Sequence, residues 1–194
     1  MDERVSCQFS WITTFDVGQG LAVAVRTAQR TLLYDAGPAF GPHADSGGRI
    51  VLPALRGAGV AALDLLVLPH EDADHIGGAL TVLETLEVGA LASSLPHSHS
   101  LNTLVAAPRR CLAGSRWEWD GVRFEFLHPS AAAREARRNN QSCVLRIETA
   151  GGSMLLTGDI ERTSEEKLAS EKKLESTDIL LVPHHGSRSS SSPE

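Results

Sequence analysis

A chain of 194 residues is long enough for one domain with a sizeable core, and 42% hydrophobic residues exclude global disorder. Aromatic residues are only 5%, so that core rests on Leu, Val, Ile and Ala. A formal net charge of −6 excludes a broad basic surface that grips nucleic acid by counterion release, although bound divalent ions would offset carboxylates locally.

The first third reads as an antiparallel meander. Ser10 to Phe15, Leu21 to Arg26 and Arg30 to Tyr34 are short strands, separated by Gly-containing turns at Asp16-Val17-Gly18-Gln19-Gly20 and, after the third, Asp35-Ala36-Gly37. Arg49 to Leu55 starts a short helix that ends near Gly57 and Gly59. Leu63 to Leu68 is a continuous apolar run of strand length, which predicts a buried strand stopped by Pro69. Beyond the cluster that follows, Gly77-Gly78 leads into a helix over Ala79 to Leu86, and Val88 to Leu91 is strand-like. Val122 to Leu127 alternates as a half-buried strand does, and Ala131 to Asn139 is a polar, basic loop or short helix. Cys143 to Ile147 and Ser153 to Leu156 form a strand pair around Gly151-Gly152, Thr163 to Leu174 is helix-prone, and Asp178 to Val182 is a further buried strand.

The three cysteines share no close spacing and form no CxxC knuckle. Cys143 reads as a small buried thiol within Ser142-Cys143-Val144-Leu145, and a Cys7–Cys111 bridge stays open, so cysteine usage does not fix the compartment. No apolar run approaches the roughly 18–20 residues of a membrane helix. Met1-Asp2-Glu3-Arg4 lacks a signal-peptide layout, so no lipid contact is expected of this segment.

The chemistry concentrates in His70-Glu71-Asp72-Ala73-Asp74-His75. Four potential ligands within six residues follow a buried strand, where a loop can turn them toward one point. Three other strands end in the same way: at Asp35 after Leu32-Leu33-Tyr34, at Asp159 after Leu155-Leu156-Thr157-Gly158, and at His184-His185 after Leu180-Leu181-Val182-Pro183. An acidic, His-containing loop alone can be a solvated turn, but four strands that each deliver ionisable groups at the carboxyl end point to one site.

These residues carry a resemblance. With Phe15 through Gly20, Asp35-Ala36-Gly37, His70 through Gly78, Asn139-Asn140-Gln141-Ser142, Thr157-Gly158-Asp159 and His184-His185-Gly186-Ser187, the chain resembles the metallo-β-lactamase superfamily, and more closely the C-terminal hydrolase domain of ComEC/Rec2-type DNA-uptake proteins. The resemblance implies an α/β (α+β) fold, the αββα sandwich, over 1–188, with 189–194 a Ser-rich flexible end. It also implies that the last strands and helix of the fold, which usually follow the HHGS stretch, are missing.

The metal ligands it implies are His70, Asp72, Asp74, His75, Asp159 and His185, the last favoured over His184. Asp35, with Asp16, would stand behind them, Asp35 accepting a hydrogen bond that fixes a ligand's tautomer. The family signature is HxHxDH, and Asp72 replaces its middle histidine. A further ligand histidine usually lies before the late aspartate. His128, after Phe124-Glu125-Phe126-Leu127, is the best candidate, whereas His97 and His99 lie in a solvated Ser/Pro loop. Leu21 stands where the family usually has an acidic residue.

One or two divalent ions are implied, manganese or zinc with magnesium as a further option; the aspartate at 72 hardens the site toward manganese or magnesium. Asp74 or Asp159 would move the proton of the attacking water, His184 would hydrogen-bond a phosphate oxygen, and Ser187 and Arg188 would contact substrate. Arg109, Arg110, Arg134, Arg137 and Arg138 are candidate DNA-backbone contacts. The expected function is a metal-dependent nuclease acting on DNA during natural transformation. It would belong to a longer membrane channel protein and lie on its extracytoplasmic side. The alternatives are a small-molecule hydrolase for a phosphodiester, thioester or lactone, or a docking or DNA-guiding domain with a weak metal site.

Overall fold

The computed structural model describes residues 11–131 and 138–191. Cys7, Arg134, Arg137 and the end of the serine tail lie outside the described residues.

The expected meander is present. Strands β1 (Trp11–Thr14), β2 (Val23–Arg26) and β3 (Thr31–Tyr34) pair antiparallel in that order. A small hairpin, β4 (Ala39–Gly41) with β5 (Ala44–Asp45), precedes a π-helical turn, Gly47–Val51, that runs directly into helix α1 (Leu52–Gly57). A two-residue strand β6 (Ala62–Leu63) leads to β7 (Leu65–Leu68), which lies parallel to β3. The short helix α2 (Ala73–Ile76) and helix α3 (Ala79–Thr85) follow. The strand expected over Val88 to Leu91 is instead two pieces. β8 (Glu87–Val88) pairs with β6, whereas β9 (Leu91–Ser93) joins β7, and the chain steps between them at Gly89, whose N–H donates to Leu63 O at 2.8 Å. β10 (Pro108–Arg110) completes a six-stranded sheet of order β1-β2-β3-β7-β9-β10.

The second sheet, β11 (Arg116–Trp119), β12 (Val122–His128), β13 (Val144–Thr149), β14 (Gly152–Leu156) and β15 (Ile179–Leu180), keeps chain order. Helix α4 (Arg162–Ser170) crosses between its last two strands. It stops short of the expected Leu174 because Lys172 turns left-handed (φ 54) and the Lys173 N–H donates back to Leu168 O at 3.0 Å, which closes the helix end.

Period-two alternation sorts side chains into three layers of core. Val23, Val25, Leu32, Tyr34 and Val67 of the first sheet meet Phe124, Phe126, Leu145, Ile147 and Leu156 of the second. The alternate residues Ala24, Leu33, Leu66 and Leu68 pack under α1 and α3, with Leu52, Leu55 and Val82. Leu127, Val144 and Leu155 pack under α4 with Leu168. The result is the expected helix–sheet–sheet–helix sandwich. No helix among the described residues is long and apolar enough to cross a membrane.

Two expectations are corrected. Asp178 to Val182 is not a buried strand: Ile179, Leu180 and Val182 are 52%, 53% and 55% exposed. β15 pairs only with β14, at the sheet edge, and an apolar run reports strand formation without fixing what covers it. Cys143 is buried but is not a free thiol, and Cys111 does not await Cys7: Cys111 and Cys143 form a disulfide with Cα atoms 5.7 Å apart. Their 32-residue separation hides a contact that sheet-on-sheet packing creates.

Candidate metal centre

Strands β3, β7, β14 and β15 each end at one rim of the sandwich. Asp35 follows β3 in the left-handed region (φ 69), its N–H donating to Val67 O of β7 at 2.8 Å. Asp tolerates that conformation better than most residues do. β7 ends at Pro69, so His70 leaves the sheet, and Asp72 in extended conformation starts α2, which carries Asp74 and His75. Gly20 lets the preceding loop press on α2, since a Cβ there would lie 2.2 Å from the Asp74 carbonyl oxygen. Gly158 (φ +54) does the same for β14, where a Cβ would meet Ser142 Cβ at 2.9 Å and Pro69 Cβ at 3.1 Å. That contact seats Asp159 against the His70 loop, and the Asp159 N–H donates to Ser142 Oγ at 3.1 Å. His184 and His185 are both left-handed (φ 48 and 52), so a tight turn aims two adjacent rings back at the rim.

The side chains converge. Asp159 Oδ2 lies 3.2 Å from His75 Nε2, 3.6 Å from His185 Nε2, 3.7 Å from His70 Nε2 and 3.9 Å from His184 Nε2. His75 and His185 Nε2 are 3.3 Å apart, and Asp74 Oδ2 is 3.5 Å from His185 Nε2 and 3.8 Å from His75 Nε2. Ligands about 2.0–2.2 Å from a tetrahedral ion are separated by about 3.3–3.6 Å. Two trios therefore have ligand atoms close enough together to hold a divalent ion, His70 with His75 and Asp159, and Asp74 with His75 and His185. His70 supplies a second argument: it is 1% exposed, and neither ring nitrogen has a hydrogen-bond partner. Its Nε2 sits 3.7 Å from both Asp72 Oδ2 and Asp159 Oδ2, too long for hydrogen bonds and suited to a shared ion. Buried polar atoms without partners are costly unless something coordinates them. His70 thus shares one candidate position with His75 and Asp159, Asp72 stands at its edge 3.7 Å from His70, and His75 is common to both trios.

Burial alone would lower the His75 pKa, but Asp35 and Asp159 outweigh it and raise it to about 10, so the ring carries a proton at Nε2 that an ion bound there would have to displace. Asp35 is fully buried, and burial raises its pKa to about 6 against the opposing pull of His75. The Asp35 carboxylate accepts the hydrogen bond of His75 Nδ1, which leaves Nε2 facing the ligand cluster. Burial, then the neighbouring His75, lowers His70 to about 3, keeping it the neutral imidazole a metal requires. Asp159 is depressed because the His75 hydrogen bond and the surrounding histidines override the burial that would raise it.

Other expected residues fall elsewhere. His184 stands beside the cluster: Asn139 Nδ2 donates to its Nε2 at 3.3 Å, and its Nδ1 pairs with Ser189 Oγ at 3.1 Å. His128 faces away. It pairs across the strand with Val144, which packs under α4, and the charges that act on it are Lys167, Lys173 and Glu171. Asp16 is exposed and, among the described residues, accepts the nearby Gly18 N–H at 3.2 Å. Ser187 Oγ pairs with Ser189 Oγ at 3.1 Å, and Arg188 is exposed. Arg138 pairs with Glu71 at 2.7 Å on the rim, whereas Arg109 and Arg110 lie on β10, and His99 Nδ1 caps the turn at Leu101. Of the serine-rich end, Ser190 is buried with its hydroxyl donating to Pro183 O at 2.9 Å, and the Ser191 N–H donates to Glu165 at 2.8 Å.

Asn139 and Asn140 belong to a motif that carries the resemblance, but residue type assigned them no role. Asn140 is the clip behind the first: it accepts the Glu161 N–H at 2.9 Å and the Ser164 hydroxyl at 2.8 Å, which ties the Asn139 turn to the Asp159 loop. The paired amides before an apolar strand were the available signal.

The Metallo-beta-lactamase superfamily model matches residues 15–193. Competence protein ComA of Neisseria gonorrhoeae is 42% identical over 183 residues, covering 93% of this chain and 24% of that protein. Recombination protein 2 of Haemophilus influenzae is 35% identical over 185 residues, covering 93% and 22%. The chain thus spans about a quarter of the length of the curated relatives it matches. Among solved structures, MEM-A1, a subclass B3 metallo-beta-lactamase from a soil metagenome library, superposes with a TM-score of 0.61 at 15% identity, over 88% of this chain and 75% of that one. At that identity the likeness is one of fold.

Proposed function

Since the chain belongs to the metallo-β-lactamase superfamily of metal-dependent hydrolases, we propose that it is a phosphodiesterase that cleaves DNA, working as part of a longer competence-type protein during DNA uptake. The observation that carries this reading is the carboxylate-rich donor set, with Asp72, Asp74 and Asp159 facing only three ligand histidines, His70, His75 and His185. Hard oxygen donors suit manganese or magnesium and phosphoryl chemistry better than an all-imidazole site would. Similarity to proteins named for competence and recombination points the substrate toward DNA.

When bound, one or two divalent ions supply Lewis-acid activation of a water and of a phosphodiester oxygen. The chain's own residues do the rest. Asp35 holds His75 in the tautomer that presents Nε2. Asp74, 32% exposed, is placed to take a proton from an attacking water at the open side of the cluster. His184, held between Asn139 and Ser189 beside Asp159, would hydrogen-bond a phosphate oxygen through Nε2 by taking a proton there and releasing its contact with Asn139. We place the domain on the extracytoplasmic side of the membrane, which accords with a disulfide in its core.

The test is manganese-dependent cleavage of single- and double-stranded DNA by the metal-loaded protein. Cleavage is expected from the wild type, and Asp74→Ala is expected to abolish it. Bound metal without cleavage of either substrate, or cleavage of a small phosphodiester, thioester or lactone alone, would overturn the DNA reading.

A further inference from the structure

We propose that the Cys111–Cys143 disulfide clamps the metal centre, so that metal affinity depends on the oxidation state of this pair. The inference rests on the metal-centre reading of the site and is independent of the substrate.

The bridge crosses between the sheets. Cys111 directly follows β10 of the first sheet, its N–H donating to Ser93 O at 3.1 Å, and Cys143 directly precedes β13 of the second. Both are fully buried in the inter-sheet core. Three bonds run from the Cys143 end to the ligands. The Cys143 N–H donates to Pro69 O at 3.1 Å, and Pro69 immediately precedes His70. Ser94 Oγ donates to the same Pro69 oxygen at 2.5 Å, so that carbonyl is held from both sheets. The neighbouring Ser142 Oγ accepts the Asp159 N–H at 3.1 Å. Tyr34, one residue before Asp35, donates its hydroxyl to Cys143 O at 2.5 Å. The segment 142–143 is therefore bonded to the backbone beside His70, beside Asp35 and at Asp159, residues that otherwise belong to two different sheets. The disulfide is the covalent link that keeps this segment in register with β9 and β10.

Formation balances as a thiol–disulfide exchange. A disulfide donor, R–S–S–R, accepts two electrons and the two thiol protons from Cys111 and Cys143 and leaves as two R–SH, and a dithiol reductant reverses the step. The bridge is therefore expected to form in an oxidising compartment and to open under strong thiol reduction.

The test has two parts. Peptide mapping under non-reducing conditions, on wild-type protein exported to an oxidising compartment, is expected to return residues 111 and 143 in one cross-linked species. Recovery of both as free thiols would overturn the proposal. Manganese affinity is then measured on the oxidised protein and on the same protein unfolded, reduced and refolded in reductant. A loss of about tenfold or more is expected on reduction, the scale seen when groups that support a ligand are removed. A change below about threefold would overturn it. Cys111→Ala/Cys143→Ala should show the weak affinity without reductant and be indifferent to it. Should that variant not fold, the two forms of the wild type carry the comparison. Cleavage of DNA is not the readout, so failure of the nuclease reading leaves this result standing.

Discussion

The two sheets contribute differently to one site. The first sheet is covered on both faces, by the second sheet and by α1 and α3, and its donors are deeply set: Asp35 and His75 are 0% exposed and His70 is 1%. Among the described residues, α4 covers part of the outer face of the second sheet. That sheet's edge strand β15 leaves Ile179 and Leu180 exposed, Val182 beyond it is exposed as well, and the side chain of His185 is 27% exposed. One half holds rigid donors whose charge states are set by burial, and the other brings in donors on a turn near solvent. Asp159, 6% exposed in its side chain, joins them. A site assembled this way pairs a preorganised floor with an accessible mouth, which is what a polymeric substrate would need.

Acidification and two substitutions probe the two halves separately. The largest effect away from the site is expected on acidification, at the second sheet's outer face. Burial, then Lys167 and Lys173, lower the His128 pKa to about 4 from an ordinary 6.5. The unfolded chain takes up a proton as pH falls through 6.5, whereas the folded chain does so only near 4. Stability is therefore present above 6.5 and is lost progressively between 6.5 and 4, by up to roughly 3 kcal/mol. Urea unfolding of wild type and His128→Leu at pH 7.5 and 4.5 checks this: the wild type should lose more than the variant, and equal losses would show that His128 is not buried neutral. Next comes the first sheet's floor. Asp35→Asn keeps an acceptor for His75 but removes the charge, and metal affinity is expected to fall about 10- to 100-fold with little change in fold. An unchanged affinity by competitive chelator titration would show that Asp35 does not support the ligand. The smallest effect is expected at the exposed edge, where Leu180→Ser should alter stability by about 0.5 kcal/mol or less. A loss above about 2 kcal/mol in thermal unfolding would mean that this strand is covered in solution.

How much the sequence disclosed follows the same division. The His70–His75 cluster and the strand ends at Asp35, Asp159 and His184-His185 were legible because ligand spacing and strand termination are local properties. Apolar runs and alternation disclosed individual strands and helices, whereas the layer order was implied by the family resemblance that the motifs carry. Three features were not. β10 and β11 carry Arg109, Arg110, Arg116 and Glu118 and look polar, since these strands lie at sheet edges. The Cys111–Cys143 link depends on how one sheet docks on the other. The orientation of His128 turns on which face of β12 it occupies beyond the irregularity between Phe126 and His128 that shifts the register. Residue type gave no access to that shift, so a histidine at a strand end resembled a ligand and is instead packed beneath α4.

Asp159 joins donors from both sheets into one metal centre. Metal content and manganese titration of wild type against Asp159→Ala put that to the test. At least about one divalent ion per wild-type chain is expected, with a loss of binding in the variant beyond about 100-fold. A wild type that binds no ion, or a variant that binds as tightly as the wild type, would contradict it.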